Sequence, residues 1–515
     1  MENKQIRDLD NETKAGTPSS PNLLFNGLRK RLRKYAWPLH ARYPNIIPNP
    51  YGDDRLYFSN RDVEANSKTS LEAGINLQLG CFMVSEIFGP NEVEHLYKRL
   101  ENLGWDEGRY RIQGGTNIDW LKKQRLYGSE GRIPLGFIHR AGTVKTSIRR
   151  EYTAKFPKEF SSLIVNISQL TPSITCLTVG FVLTDEASLE YADAIMKPAK
   201  TTRNPKKRHR TYSIMGVEHI KEERVHNIRD KYRNLSIGWI SKNFPGYFAG
   251  NCKPSQFPSV EFLSLNGFTP FDKDEQKSRG WGHWSRFVKI DQSFDSWTST
   301  SSPALRFSLV SGHRDEAANH ITAALRWDML SGEDKEMYGD DTLGVRTYFA
   351  SEHLDGIIAK FALTGFLGEL LRNLKETRQS LSSSPKSVTP TTQVDTISEF
   401  FRSSIGVPAI AREVLALSKN DVSFRWNATG FTQKSHIEAE APRDIKEALK
   451  STLGRLSQQL LEEDTDTREF LNQLSSALGT KESIAVQKRM ENIARTTLVV
   501  AIASAVVAIF GALGN

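Results

Sequence analysis

Short stretches in which hydrophobic and polar residues alternate recur through the first two thirds of the chain, a pattern typical of half-buried β-strands. Ile75–Met83 alternates most clearly. Leu163–Ile167 and Ile174–Leu183 are separated by Thr171-Pro172-Ser173, a turn sequence that predicts antiparallel pairing of the two strands. Further strands are predicted at 135–138, 260–265 and 304–310.

Between the strands, apolar residues recur at steps of three and four, which is the spacing of an amphipathic helix. The clearest such pattern follows Gly89-Pro90 and ends at Gly104. Gly356–Leu371 is strongly apolar, but Lys360 and Glu369 interrupt it, so we predict a buried core helix there. Other helices are predicted at 185–196, 217–232, 317–330, 445–460 and 471–478, with an acidic break at 462–466 before the last.

The final apolar stretch, Thr496–Leu513, contains no charged residue. A helix of this length rises about 27 Å, close to the roughly 30 Å hydrocarbon thickness of a bilayer. Its strongly apolar residues supply about −3 to −5 kcal/mol of insertion free energy. We predict a C-terminal transmembrane anchor; the alternative is a terminal helix buried in a protein core or an oligomer. The predicted membrane-span residues are Leu498, Val499, Val500, Ile502, Val506, Val507, Ile509, Phe510 and Leu513.

Charges beside this stretch predict its orientation. Lys481, Lys488, Arg489 and Arg495 precede it, and positive charges favour the cytoplasmic side of a membrane. The predicted location is therefore the cytoplasmic membrane, with one pass and with the bulk of the chain in the cytoplasm.

The cysteine content fits a reducing compartment. Cys81, Cys176 and Cys252 are odd in number and widely separated, so they do not describe a disulfide framework or a zinc ribbon. Cys81 and Cys176 lie in apolar strand-like runs, where cysteine acts as a small hydrophobe.

A stripe of residues at steps of three and four continues from the segment before the predicted span into the span itself. It begins with Val486, Met490, Ile493 and Thr497 and becomes small inside the span. Small residues allow two helices to approach closely, so one continuous helix that pairs with its copies is predicted. The alternative is that alanine is merely common in weakly hydrophobic spans. The predicted helix-association residues are Ala501, Ser504, Ala505, Ala508 and Ala512.

The net charge of +9 is concentrated in two acid-free windows. The first lies on a basic amphipathic helix predicted at Leu23–Leu39, which is expected to contact an anionic leaflet at about 1 kcal/mol for each basic residue. The second, in 197–210, would suit lipid or the phosphates of nucleic acid. Either window could instead be solvated surface. The predicted anionic-surface residues are Arg29, Lys30, Arg31, Arg33, Lys34, Lys206, Lys207, Arg208 and Arg210.

No phosphate loop, zinc-binding pattern or nucleophile elbow occurs in the sequence, and no cofactor or metal is expected. The best catalytic candidates are His313, Asp315 and His320, where a predicted strand is followed by a predicted helix. We favour the simpler interpretation, in which the acids cap a helix N-terminus and His320 follows one turn later. The same explanation applies to Glu352-His353 and Asp355.

These patterns predict an α+β fold: a mixed cytoplasmic α/β body with antiparallel strands, a helical stalk and one C-terminal transmembrane helix. The predicted segments are a disordered N-terminus (1–22), a basic amphipathic segment (23–50), the body (51–379), a Ser/Thr/Pro-rich linker (380–396), a mainly helical region (397–480), and a juxtamembrane helix with its anchor (481–515).

The predicted function is that of a membrane-tethered cytoplasmic interaction or effector protein that self-associates through its stalk and tail. Membrane lipid and a second copy of the chain are the expected partners, together with a protein of unspecified kind. Two alternatives stay open. One is a membrane-surface enzyme of unrecognised type; the other is a membrane-held nucleic-acid-binding protein that uses the 197–210 cluster.

Overall fold

The structure is a computed structural model, and most of the chain can be described from it. The described residues are 35–36, 39–40, 43, 46–47, 54–107, 115–128, 130–142, 152–205, 212–272, 283–291, 296–309, 319–339, 341–382, 397–402, 404–420, 430–433 and 441–513.

The chain divides into two compact units. The small unit consists of Met1–Ser70, Ala194–Val225 and Gly282–Trp284. The large unit consists of Leu71–Asp193, His226–Trp281 and Ser285–Asn515.

The described strands form one large sheet and one hairpin. They are β1 Asn76–Phe88, β2 Gly131–Arg140, β3 Thr153–Ala154, β4 Phe160–Thr171, β5 Ile174–Leu183, β6 Thr202–Pro205, β7 Tyr212–Met215, β8 Ser259–Asn266, β9 Ser296–Ser299, β10 Leu305–Ser308, β11 His320–Arg326, β12 Phe431–Gln433 and β13 Arg443–Asp444.

The described helices range in length from 4 to 69 residues. They are α1 Asp54–Lys68, α2 Val93–Leu103, α3 Asn117–Tyr127, α4 Asp185–Ser188, α5 Glu190–Met196, α6 Val217–Asn243, α7 Tyr247–Asn251, α8 Gly332–Tyr338, α9 Leu343–Ser382, α10 Val407–Lys419 and α11 Ile445–Leu513.

The sheet of the large unit has eleven strands in the order β13-β12-β9-β10-β11-β8-β1-β5-β4-β2-β3. Most neighbours are antiparallel, including the predicted pair β4 and β5, in which Thr171 lies opposite Ile174. The pairs β8–β11 and β2–β3 are parallel. The mixed α/β part of the predicted fold class, with its antiparallel strands, is therefore confirmed.

Helices cover both faces of this sheet. Because successive residues of a strand point to opposite faces, Glu261 and Ser264 of β8 lie on different sides. Glu261 contacts Arg229 of α6, whereas Ser264 contacts Arg346 of α9. The central strands β1 and β5 are accordingly buried along almost their whole length, as expected of strands that are covered on both sides.

Several local predictions are confirmed. Helix α2 ends at Gly104, whose φ of 66° is the left-handed conformation that glycine adopts readily. The apolar stretch Gly356–Leu371 lies inside α9, and Lys360 is fully buried there with its Nζ 2.7 Å from Glu130 Oε1. Cys81 and Cys176 are buried in strands, and burial raises the pKa of both thiols, that of Cys176 to about 12.

Two local predictions are wrong. The helix expected at 317–330 is strand β11, followed by a 3-10 turn at Trp327–Met329. Its alanines and leucine favour a helix in isolation, but pairing with β8 and β10 gives the segment sheet hydrogen bonds on both edges. The acidic break expected at 462–466 is also absent, because α11 is continuous through it. Asp464 instead pairs with Arg468 one turn on, at 2.7 Å.

The transmembrane part of the predicted fold class has no support from the structure. None of the helices built from described residues combines the length and the apolar character needed to cross a bilayer. The backbone of α11 continues to Leu513, while the side chains from 498 onward, which include every predicted membrane-span and helix-association residue, lie outside the described residues.

The small unit contains α1 and the hairpin β6–β7, in which Thr202 lies opposite Met215. Asn66 of α1 holds the chain that leads into the hairpin: its Nδ2 donates to the Ala199 carbonyl at 2.7 Å, and its Oδ1 accepts from the Ala199 amide at 2.9 Å. The predicted anionic-surface residues, at 29–34 and 206–210, lie outside the described residues.

Candidate functional site

The parallel pairing of β8 with β11 brings four polar side chains together on one face of the sheet. His320 lies opposite Ser259, and Thr322 lies opposite Glu261. Because alternate residues of a strand share a face, all four side chains point the same way, toward α5 and α6. Each is buried, so this group is a polar cluster inside the large unit.

Glu261 lies at the centre of the cluster and uses both of its oxygens. Oε2 accepts from Arg229 Nε at 2.8 Å and from the Tyr191 hydroxyl at 2.9 Å, while Oε1 accepts from Thr322 Oγ1 at 2.9 Å. Burial alone would raise the pKa of Glu261, but the nearby Arg229 and the hydrogen bonds hold that pKa well below its usual range. Glu261 and Arg229 therefore form a buried ion pair with its hydrogen bonds satisfied, which is the condition under which such a pair is tolerated.

His320 joins this ion pair to a second arginine. Its Nδ1 lies 2.9 Å from Ser259 Oγ and its Nε2 lies 3.7 Å from Glu261 Oε1. Arg233 Nε donates to Ser259 Oγ at 3.0 Å. Burial lowers the pKa of His320 to about 4, against the attraction of Glu261, so the ring is neutral near pH 7. Because Arg233 supplies a donor, the serine hydroxyl can donate to Nδ1, which leaves the ring proton on Nε2, facing Glu261.

The order serine, imidazole, carboxylate is the order of groups in nucleophilic hydrolases. Here the serine cannot act as a nucleophile in the conformation observed. Ser259 is 1% exposed and His320 is 4% exposed, and Arg233 already occupies the serine oxygen. The separation of 3.7 Å between Nε2 and Oε1 is also too long for a hydrogen bond. The cluster is therefore best described as a buried network that joins α5 and α6 to the sheet.

Of the three candidate catalytic residues, His320 alone can be placed. It begins strand β11 rather than a helix, so the capping interpretation of this residue is wrong. His313 and Asp315 lie outside the described residues.

The second candidate group lies within α9 and not at its N-terminus. Asp355 is 1% exposed, and its Oδ2 lies 2.7 Å from Nε of Arg132 on β2. Glu352 Oε1 lies 3.7 Å from the same arginine. Burial raises the pKa of Asp355, and the charge of Arg132 opposes this rise. These carboxylates hold α9 against β2, and the capping interpretation is wrong for them as well.

Sequence reasoning missed Ser259, Glu261, Tyr191, Arg229 and Arg233. A signal was present, because Glu261 is a charged residue in the apolar run Val260–Leu265, and a buried charge requires a partner. Arg229 and Arg233 are spaced by four on α6 and therefore share a helix face. Their partners on β8, Glu261 and Ser259, could not be identified from the sequence, because they depend on where this strand lies relative to α6.

A further buried carboxylate, Glu86 of β1, is held by main-chain amides. Its Oε1 accepts from Phe248 N at 2.7 Å and from Ile87 N at 3.0 Å, and its Oε2 accepts from Ala249 N at 2.9 Å. Burial raises the pKa of Glu86 to about 8, although these amide bonds oppose the rise. Gly246 allows the close approach, because a Cβ at that position would lie 2.5 Å from the Ile87 carbonyl oxygen.

Within the described ranges, no group of three or more His, Cys, Asp or Glu side chains could hold a metal ion. No protein-family model, no curated protein and no solved structure matches this chain.

Proposed function

We propose that this protein is a membrane-tethered interaction protein that self-associates through the C-terminal part of α11. One observation carries the proposal: α11 continues well beyond the part that packs in the large unit, and it presents large apolar side chains at its surface.

The N-terminal part of α11, from Ile445 to Leu471, packs in the large unit. Ile445, Leu449, Leu453, Leu460 and Leu471 are buried, and this part of the helix contacts α9 and α10. After Leu471 no described side chain of the helix is buried, and from Ser475 to Thr497 each described side chain is exposed.

The exposed part has one apolar stripe, which we define as Val486, Met490 and Ile493. These residues are 50%, 65% and 65% exposed and follow at steps of four and three, which places them on one side of the helix. Lys488 lies about 200° around the helix from Met490, and Arg495 pairs with Glu491 at 2.6 Å. Arg489 borders the stripe, because it is three residues from Val486 and four from Ile493. Full burial of one apolar side chain of the stripe contributes about 1.5–3 kcal/mol, so pairing of two stripes would stabilise a dimer.

A second copy of the same helix is the occupant that fits this stripe. The 3–4 spacing is that of a coiled-coil seam, and it continues in sequence through Thr497 into the small residues of the uncharged stretch. If that stretch is a membrane anchor, it aligns the copies in parallel and raises their effective concentration, so weak contacts suffice for association.

Cysteine cross-linking in membranes tests the self-association. The full chain with Met490→Cys should form a disulfide-linked dimer under mild oxidation. The matched variant Lys488→Cys, on the opposite side of the same helix, should form much less. The native Cys81 and Cys176 are buried, whereas Cys252 is half-buried, so both variants are made in a Cys252→Ser background. Equal cross-linking at both positions, or none at Met490→Cys, would refute pairing through the stripe.

Alkaline extraction of membranes tests the anchor. The full chain should remain with the membrane, whereas Val506→Arg/Ile509→Arg should be released, because two central arginines cost about 3 kcal/mol each and cancel the insertion free energy. Ile484→Arg adds a charge outside both the uncharged stretch and the stripe, and it should stay in the membrane. Release of the unaltered chain would contradict a transmembrane anchor.

A further inference from the structure

The stripe on α11 contains one side chain that can be oxidised, that of Met490. It is 65% exposed and is the single methionine of α11, which also has no cysteine. Oxidants convert the thioether of an exposed methionine into a sulfoxide, and a flexible apolar side chain thereby becomes polar. A chemical change at this one sulfur atom therefore changes the character of the stripe.

Met490 lies at the centre of the stripe. Val486 precedes it by four residues and Ile493 follows it by three, so both neighbours lie on the same side of the helix. These neighbours contain no sulfur and do not react with peroxides. In a parallel pair with two-fold symmetry each copy presents the same residues to the other, so the two Met490 side chains meet in the middle of the contact.

Pairing and oxidation place opposite demands on this side chain. Pairing removes the thioether from water, which is favourable for an apolar group. A sulfoxide oxygen accepts hydrogen bonds from water, and burying such a group without a partner is unfavourable. Val486 and Ile493 have no side-chain donor to replace that water. Arg489 borders the stripe and is exposed, but it can donate to the sulfoxide in a separate chain as well, so it does not favour the pair.

We propose that Met490 is a redox-sensitive modification site at which a peroxide switches off the pairing of α11. This inference rests on the self-association proposed above. A lone pair of the Met490 sulfur attacks one peroxide oxygen, the O–O bond breaks, and the second oxygen leaves as water when the oxidant is hydrogen peroxide. The sulfur is oxidised and the peroxide is reduced, so no other reactant is needed. Because pairing covers the sulfur, the separate chain is the form that reacts, and oxidation then keeps it separate.

Energy transfer between copies of the full chain in phosphatidylcholine vesicles tests this switch. Donor and acceptor dyes are attached at Gln473→Cys, an exposed position outside the stripe, in a Cys252→Ser background. Hydrogen peroxide should weaken pairing by at least about tenfold, measured from the dependence of energy transfer on surface density. Peptide mass spectrometry measures the sulfoxide at Met490, and reduction by methionine sulfoxide reductases should restore the energy transfer.

Three variants separate the effect of Met490 from general oxidative damage. Met490→Leu keeps a similar apolar volume without the sulfur, so it should pair normally before and after peroxide. Met490→Gln carries a polar side chain in place of the sulfoxide and should pair weakly without any oxidant. Met337 of α8 is 76% exposed, so Met337→Leu removes an equally accessible sulfur outside α11. This matched control should respond to peroxide like the unaltered chain.

The outcomes separate failure of the switch from failure of the pairing. Energy transfer that is absent before peroxide is added would refute the pairing, and the switch would fall with it. Normal energy transfer that persists after Met490 is fully oxidised, or that falls equally in Met490→Leu, would overturn the switch and leave the pairing intact. A chain that does not enter the vesicles would refute the anchor alone, and the same comparison is then decided in concentrated solution.

Discussion

At the scale of single residues, the large unit depends on charges that have been removed from water. Glu261 and Arg229 are separated by 2.8 Å and are almost fully buried, so each is the partner that makes the other tolerable. Replacing a buried pair by neutral groups is often harmless, whereas removing one partner leaves a buried charge without compensation.

We expect Arg229→Met to lower the free energy of unfolding by about 3–5 kcal/mol. The double variant Glu261→Gln/Arg229→Met should be more stable than Arg229→Met alone, because glutamine removes the unpaired charge. Its carbonyl oxygen can accept from one of the Tyr191 and Thr322 hydroxyls, and its amide group can donate to the other. Urea unfolding of the unaltered protein, of Arg229→Met, of Glu261→Gln and of the double variant measures the coupling between the two sites. Simple addition of the two single losses would show that the pair is not energetically coupled.

His320 should make stability depend on pH. Burial lowers its pKa from 6.5 to about 4, so between these values the unfolded chain binds a proton that the folded chain does not. The contribution of His320 to the free energy of unfolding therefore falls as the pH falls from 6.5 to 4, by up to about 1.4 kcal/mol for each pH unit. Glu86, whose pKa is raised from 4.5 to about 8, contributes in the opposite direction over part of the same range. Glu261 contributes in the same direction as His320, but mainly within and below the range in which a free glutamate titrates, because only there does the unfolded chain bind the proton that folded Glu261 lacks.

His320→Gln removes the titrating ring and keeps a polar group beside Ser259. Lowering the pH from 6.5 to 4.5 should shift the urea midpoint of this variant to a higher value, relative to the shift in the unaltered protein, because the destabilising contribution of His320 is gone. The exposed His219, replaced by glutamine as a control, should leave the shift unchanged. An unaltered pH dependence in His320→Gln would mean that this ring does not carry the effect.

Gly246 is required by the close packing beside Glu86. In Gly246→Ala the new Cβ would lie 2.5 Å from the Ile87 carbonyl oxygen and 2.7 Å from Glu86 Cγ, so the main chain must shift. We expect a loss of about 2–3 kcal/mol in the free energy of unfolding. Gly238→Ala is the matched control: it lies inside α6, no atom lies within 4 Å of the added Cβ, and it should gain about 0.5–1 kcal/mol. Equal stability of the two variants would contradict the role of Gly246.

At the scale of elements, the sequence was informative where structure is determined locally. Helix α2 was predicted correctly because its buried residues, Val93, Leu96 and Leu100, follow the helical period and Gly104 ends it. Strand β11 was missed because its sequence favours a helix and only its two neighbouring strands make it extended. The same non-local pairing places His320 beside Ser259 and Glu261, so the buried network could not be assembled from one sequence.

The length of α11 shows the same division between local and non-local information. Leucine spacing predicted helices on both sides of the acidic stretch, and these predictions are confirmed within one 69-residue helix. The pairing of Asp464 with Arg468 explains why the acids do not end it. Which part packs and which part is exposed was not predictable, since it depends on α9 and α10.

At the scale of the whole molecule, the proposed function separates two contributions to association. The stripe supplies contact area, whereas the anchor supplies effective concentration. A stripe of three side chains is short for a stable soluble coiled coil, since isolated helices need several turns of favourable contacts to persist. We therefore expect association to depend on both features together.

The variant Val506→Arg/Ile509→Arg, released from the membrane, should be monomeric in dilute solution by light scattering, although it retains the complete stripe. Adding Met490→Cys to it should give strong cross-linking only as the protein concentration is raised, whereas the same cysteine in the anchored chain should cross-link at any expression level. If the released variant forms dimers as readily as the anchored chain, the stripe alone accounts for association. If it fails to cross-link even when concentrated, the pairing would reside in the uncharged stretch, and the stripe would have to be assigned to a different partner.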